Sequence, residues 1–327
     1  MVLAVLALSV ALLGGLFFGP FKSRAVPLFW MLIEKIFARM AEKSFNPERS
    51  SGSLAFRGGL LTLLIVLVSF IVGMSLFGLK FAYPAYFIVD FVSLLACLSS
   101  GTVMLLIFFM RKSLTGKSDP KSFFMAARTF RLDLSKSDAH GTARIVAEQC
   151  LVAFERMTVI PAVAYMAGGI PLLYLASGIA AASWLYGRAG HGGGFETLTG
   201  LLQRVIGLVS GTISAFLVVL SAFLVPTASI GRAVQGLLDF KNRPSYLEGG
   251  AALAAAAYAL KVTFGGTRRD IEDVAIKLPW FGPNQASAKF EPEALKRVEY
   301  MLFTLHLLLI GVTLFSAIFL VRTFDVI

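Results

Sequence analysis

The sequence predicts an all-α fold: a polytopic transmembrane helical bundle of about six spans, with amphipathic helices in its cytoplasmic loops. Three observations carry this. Only 15% of the 327 residues are charged and 57% are hydrophobic, where a soluble domain carries about 25% charge. The mean hydropathy is +0.78. The apolar residues are also gathered into runs, several near the roughly 20 residues that cross a ~30 Å hydrocarbon core.

In chain order the expected spans are 2–19, 58–79, 81–110, 157–187, 205–228 and 301–321, within one integral membrane domain covering 1–327. The run 2–19 has no basic residues before it and is followed by Lys22 and Arg24, which predicts an uncleaved anchor with its N-terminus outside. The loop 20–57 contains 26–40, where Phe29, Leu32, Ile33, Ile36 and Phe37 share one helical face, a pattern suited to a helix along the interface. The run 157–187 contains Pro161, Gly168, Gly169 and Pro171. A break of that kind survives in lipid only where neighbours satisfy the freed backbone groups, so this segment is placed at the centre of the bundle. The loop 229–300 holds an alanine-rich helical stretch at 250–264 and a charged helix, 291–300, leading into the last span. Asp119–Pro120 and Gly282–Pro283–Asn284 sit in turns.

Charge gives the orientation. Segment 20–57 carries seven basic against three acidic residues, 111–150 eight against four, and 229–300 ten against eight, which is 25 of the 30 Lys and Arg. Placing 20–57, 111–156 and 229–300 in the cytoplasm makes the chain N-out and C-out in a bacterial inner membrane. The net charge of +11 is then an orientation signal with affinity for anionic lipid, and nucleic acid is not an expected partner.

The residues give few chemical leads. The P-loop, H-E-x-x-H and G-x-S-x-G patterns are absent from the sequence. Cys97 and Cys150 read as packing residues, and no metal site is expected from two cysteines and three histidines. Asp90 is the one carboxylate well inside an apolar run, and His306 reads as a satisfied interhelical histidine. Gly265–Gly266 ahead of Arg268 could form a phosphate nest with cationic backing, or simply a turn. Arg128, Arg131, Lys136 and Arg144 cluster with Asp133 and Glu148, and Arg144 can reach Glu148 one helical turn on. Such a loop holds an anionic ligand or is a solvated basic loop.

The stretch 143–174, ARIVAEQCLVAFERMTVIPAVAYMAGGIPLLY, resembles the core of the CobD/CbiB family, the membrane-bound adenosylcobinamide-phosphate synthases of cobalamin biosynthesis. At matching spacing the chain keeps Ala143, Arg144, Glu148, Pro161, Gly168, Gly169 and Tyr174. Gly19–Pro20 with Val26, Arg131 with Asp133, the stretch AALAAAAYALKVTFGG and Pro279 with Gly282 then fall in the family's order, so the likeness runs along nearly the whole chain. It implies an ATP- and Mg²⁺-dependent amide-forming synthase acting on a corrinoid, with Arg131, Asp133, Arg144, Glu148, Gly265 and Gly266 as ligand-binding candidates at the cytoplasmic face, to which the glycine-nest reading adds Arg268. The departures are specific. Val152–Ala153 replace the family's Glu–Asn, and Arg156–Met157 its Asp–Gly. Ala180 and Ser183 stand for its Asn and Asp, with Gly187 kept, and Tyr246–Leu247–Glu248 for its S-P-N. The lost groups are those that Mg²⁺ and phosphates need. A family scaffold with lost or altered activity is therefore expected. The alternative is a non-catalytic sensor or partner-binding protein similar to AmpE-type membrane proteins, and a transporter is disfavoured by the lack of an inverted repeat.

Overall fold

The computed structural model describes residues 2–17, 24–46, 48–82, 86–115, 120–187, 194–270 and 275–324. Twelve α-helices are described: α1 (Val2–Phe17), α2 (Leu28–Ser44), α3 (Ser51–Ala82), α4 (Tyr86–Cys97), α5 (Ser100–Leu114) and α6 (Pro120–Phe130), then α7 (Ala139–Phe154), α8 (Ile160–Tyr186), α9 (Thr197–Leu224), α10 (Ile230–Leu238), α11 (Gly250–Leu260) and α12 (Pro292–Phe324). Glu155–Val159 is a π-helical turn joining α7 to α8, and Tyr246–Glu248 a 3₁₀ turn before α11.

Among the described residues, five helical stretches are long and apolar enough to cross a membrane: Ser51–Lys80, Phe87–Leu114, Ala139–Tyr186, Thr197–Leu224 and Pro292–Phe319. The chain is a helical membrane protein. The first expected span is represented by α1, an apolar helix of 16 residues, which at 1.5 Å per residue extends ~24 Å. The Gly19–Pro20 pair, Lys22, Asp119 and residues 188–193 of the glycine-rich connection lie outside the described residues.

The run expected as one irregular span, 157–187, is bent double. Gly169 has φ +64° and ψ −152°, a region essentially restricted to glycine. Here the chain reverses, and Pro171 starts the second arm, where its missing N–H does no harm. Contacts on both arms show the reversal. Ser99 N–H donates to the Met157 carbonyl at 3.2 Å, while its near neighbour Cys97 lies against Ser177 on the other arm. The second arm packs along α3, with Gly73 against Pro171 and Gly178 against Ser69.

The π turn and the α4–α5 break are complementary. Pro161 cannot donate to the Met157 carbonyl, so the helix takes a wider turn, with Ile160 N–H bonded to the Glu155 carbonyl. The orphaned Met157 carbonyl then receives Ser99 N–H, freed where α4 ends and α5 begins. Each interruption satisfies the other.

The helix expected within 26–40 is present as α2, and the apolar residues expected on one face divide into a buried row and an exposed one. α2 buries Phe29, Trp30, Ile33, Phe37 and Ala41. Leu28, Leu32, Ile36 and Met40 form a second apolar row left exposed, the arrangement of a helix that packs on protein and lies against lipid together. Asp90 is buried and paired with Lys80 at 2.6 Å. His306 bonds within its own helix, Nδ1 to the Leu302 carbonyl at 2.7 Å, and its ring packs across on Phe154. The two cysteines are free and buried.

The all-α expectation needs one correction. β1 (Leu132–Asp133), β2 (Phe264–Asp270) and β3 (Ala275–Phe281) form an antiparallel sheet in the order β1-β2-β3. The alanine-rich helix stops at Lys261, in the left-handed region at φ +54°, and the chain turns into β2. Phe264, Phe281 and Phe290 close the sheet over the bundle, with ring centroids 5.6–6.1 Å apart. A two-residue strand and a strand opening on two glycines carry too little alternation to be read from sequence.

Candidate functional site

Three of the expected site residues converge across more than a hundred positions of sequence. Glu148 is buried on α7, and its carboxylate accepts from Gly265 N–H at 3.0 Å and from Arg268 Nη1 at 3.0 Å. The glycine pair is thus no open phosphate nest: one of its amides is turned onto the chain's own carboxylate. The glycines are required by space as well as by their φ values of +89° and +86°. A Cβ at Gly265 would lie 2.1 Å from the Pro279 carbonyl oxygen, and one at Gly266 would lie 2.6 Å from the Trp280 ring.

The other candidates go elsewhere. Arg144 lies over the Trp280 ring at 4.4 Å instead of pairing with Glu148, because Arg268 takes that carboxylate. Arg131 bonds Glu34 at 2.8 Å, and Glu34 also pairs with Arg24. Asp133 caps a turn, accepting from Ser135 N–H at 2.9 Å and Ser135 Oγ at 2.6 Å. The basic cluster of the 111–156 loop therefore does not form a single site.

Beside Glu148 lies a cavity of about 250 Å³. Its walls come from α7 and the π turn, the second arm of the bent helix, the start of α9, the segment of the 3₁₀ turn and the sheet: Gln149, Val152 and Arg156; Ala180, Ser183, Trp184 and Gly187; Glu196 and Arg204; Ser245, Leu247 and Glu248; Arg268 and Ile276. Arg156 is 3% exposed and Gln149 1%. Arg156 Nη1, Arg268 Nε, Gln149 Oε1 and Glu196 Oε2 are all buried without a hydrogen-bond partner. Buried polar atoms left this way are destabilising unless a further group meets them, and four on residues that line one cavity make it the candidate binding site.

Arg156 is held in place by Tyr246. Its Nη2 donates to the Tyr246 carbonyl at 3.0 Å, and its guanidinium stacks on the Tyr246 ring at 4.4 Å. The ring is seated on α9, where Cβ atoms at Gly207 and Gly211 would collide with it. Its hydroxyl donates to Glu155 Oε1, which also accepts from Ser210 Oγ at 3.0 Å. Burial pushes the Tyr246 phenol up to about 12. The π turn sets Glu155 and Arg156 on different sides of Tyr246, one bonded to its hydroxyl and the other to its carbonyl, a device frequent at functional sites.

Arg156, Arg204, Gln149 and Glu196 were not singled out as binding residues from the sequence. One signal could have found the first of them. Glu155–Arg156 is a charged pair in a stretch otherwise uncharged from Leu151 to Tyr186, and such charges persist only when satisfied or functional.

The cavity is lined by three guanidiniums and two carboxylates, and one of the guanidiniums, Arg268, is already paired with Glu148. The cavity does not fit the ATP and Mg²⁺ that the resemblance implies. Positions 156, 180 and 183 bring a guanidinium, a methyl and a hydroxyl, and among the described residues no three of His, Cys, Asp and Glu converge to hold a cation. The chain matches no family profile, no curated protein and no solved structure.

Proposed function

We propose that the protein is a membrane-embedded binder of an anionic ligand, built on the scaffold of the adenosylcobinamide-phosphate synthases and lacking their reaction. One observation carries this reading. Positions 152, 156, 180, 183, 187, 247 and 248, which the resemblance aligns with the family's motifs, line one cavity together with Arg268. The resemblance was drawn from linear order alone, so the meeting of those positions in space supports common ancestry. Their identities oppose common chemistry, because a buried Arg156 occupies the place of an acidic group. At about 250 Å³ the cavity is below the ~300–1,000 Å³ of ordinary small-molecule sites. It suits a phosphate- or carboxylate-bearing group better than a whole corrinoid.

The absence of synthase chemistry favours a sensor or partner-binding role in the manner of AmpE-type proteins, with the occupied cavity as the signal. Two measurements test the reading. Expression in a strain lacking the synthase, under cobalamin-limited growth, is expected to give no rescue; full rescue overturns the loss of chemistry. Inorganic phosphate is expected to raise the melting temperature of the purified protein and to leave Arg156→Gln unchanged. A wild-type melting temperature indifferent to phosphate overturns the anion site.

A further inference from the structure

One wall residue of the cavity, Arg204, belongs to the exposed face of an apolar helix. Arg204 lines the cavity and is exposed on α9. Around it on the same helix Leu201 is 55% exposed, Val205 58% and Leu208 74%. α9 is one of the stretches apolar enough to cross a membrane, so these side chains face acyl chains. An arginine among them directs its guanidinium toward the headgroup layer. Arg204 thus belongs both to the cavity wall and to the exposed apolar face of α9.

Its unpartnered atoms are of two kinds. Arg156 Nη1 and Arg268 Nε are donors, whereas Gln149 Oε1 and Glu196 Oε2 are acceptors. A bare anion satisfies only the donors. A group that places negative oxygens on the guanidiniums and an N–H or O–H on Gln149 and Glu196 satisfies both. We infer that the cavity holds the phosphodiester headgroup of a glycerophospholipid whose terminal group is a hydrogen-bond donor, ethanolamine or glycerol, with its acyl chains along Leu201, Val205 and Leu208 of α9. This rests on the anion-site reading above and adds the source of the phosphate and the donor it carries.

The test uses the full-length protein purified from nanodiscs with equal parts phosphatidylethanolamine, phosphatidylglycerol and phosphatidylcholine, and native mass spectrometry of retained lipid. Choline has no N–H or O–H, so wild type is expected to retain one phosphatidylethanolamine or phosphatidylglycerol at least fivefold over phosphatidylcholine. Arg204→Gln, at an exposed position, is expected to lose that selection, and Arg156→Gln to lose the retained lipid. Arg39→Gln, on the exposed side of α2, is expected to behave as wild type, which separates the cavity from general attraction of the basic face for anionic lipid. Equal retention of the three lipids, or selection unchanged in both Arg204→Gln and Arg156→Gln, overturns the inference. If phosphate stabilises the protein while no lipid is retained, the lipid source is overturned and the anion site stands. If neither is seen, both fall.

Discussion

Glu148→Ala removes the group that ties the sheet to the bundle. The Glu148 side chain is 2% exposed and that of Arg268 10%, with 3.0 Å between Oε1 and Nη1. The substitution leaves Arg268 buried without its counter-charge and Gly265 N–H without an acceptor. Breaking a buried pair from one side costs about 3–5 kcal/mol. At ~1.4 kcal/mol per tenfold change in population, opening of β2 and β3 becomes roughly a hundred- to several-thousandfold more frequent. Hydrogen exchange of the strand amides in detergent or nanodiscs reads this directly, since it reports local opening. Amides of α3 and α12 are expected to keep their protection. The double variant Glu148→Leu with Arg268→Met removes both charges, and its exchange is expected within about tenfold of wild type, because apolar replacement of a whole buried pair is often near neutral. Two results would refute the reasoning: strand exchange in Glu148→Ala within a few-fold of wild type, or a double variant as labile as the single one.

Three further outcomes are expected. Gly169→Ala forces an L side chain into φ +64°, ψ −152°, at a cost of about 1–3 kcal/mol, and should lower the melting temperature. Gly78→Ala, whose Cβ meets nothing within 4 Å, should not. Gly207→Ala places a Cβ 1.9 Å from the Tyr246 ring; repacking costs about 1–3 kcal/mol, and the displaced tyrosine releases Arg156, so the phosphate-induced rise in melting temperature should shrink along with stability. Asp239 is held below the usual carboxylate range, first by the Tyr258 hydroxyl and then by Asn242. Its contribution is thus present above the unfolded value near ~3.9 and lost as pH falls through the lower folded value. Melting curves across the acid range should show a shallower loss of stability below about pH 4 in Asp239→Asn than in wild type.

Most of the helical architecture was legible because hydrophobic run length is a strong signal. Helix α2 was legible from its apolar period, although period alone could not separate the buried row from the exposed one: Leu32 and Ile36 were placed on one face with Phe29, Ile33 and Phe37, and they are exposed while Trp30 is buried. The break at Gly168–Gly169 was visible. Its consequence was not, because the same residues suit a kink, and only contacts such as Ser99 to Met157 and Cys97 to Ser177 distinguish a kink from a reversal. For the site, Glu148, Gly265 and Arg268 were identified together while their arrangement was misread. Nothing local indicates that a carboxylate will prefer a guanidinium 120 positions away over one four positions away. Arg204 immediately precedes the expected span 205–228, and Gln149 carries no pattern at all.

The hydrogen bond from Ser99 to the Met157 carbonyl also bears on biogenesis. Left unmet in hydrocarbon, such backbone groups cost several kcal/mol each. Neither the α4–α5 segment nor the α7–α8 segment is then comfortable alone in lipid, although each is apolar enough to enter it. The translocation machinery would have to keep the earlier segment beside it until the later one, some 60 residues further along the chain, emerges to complete it. The two would be released into the bilayer as a pair, and a ribosome stalled between them would leave behind an insertion intermediate exposed to quality-control proteolysis.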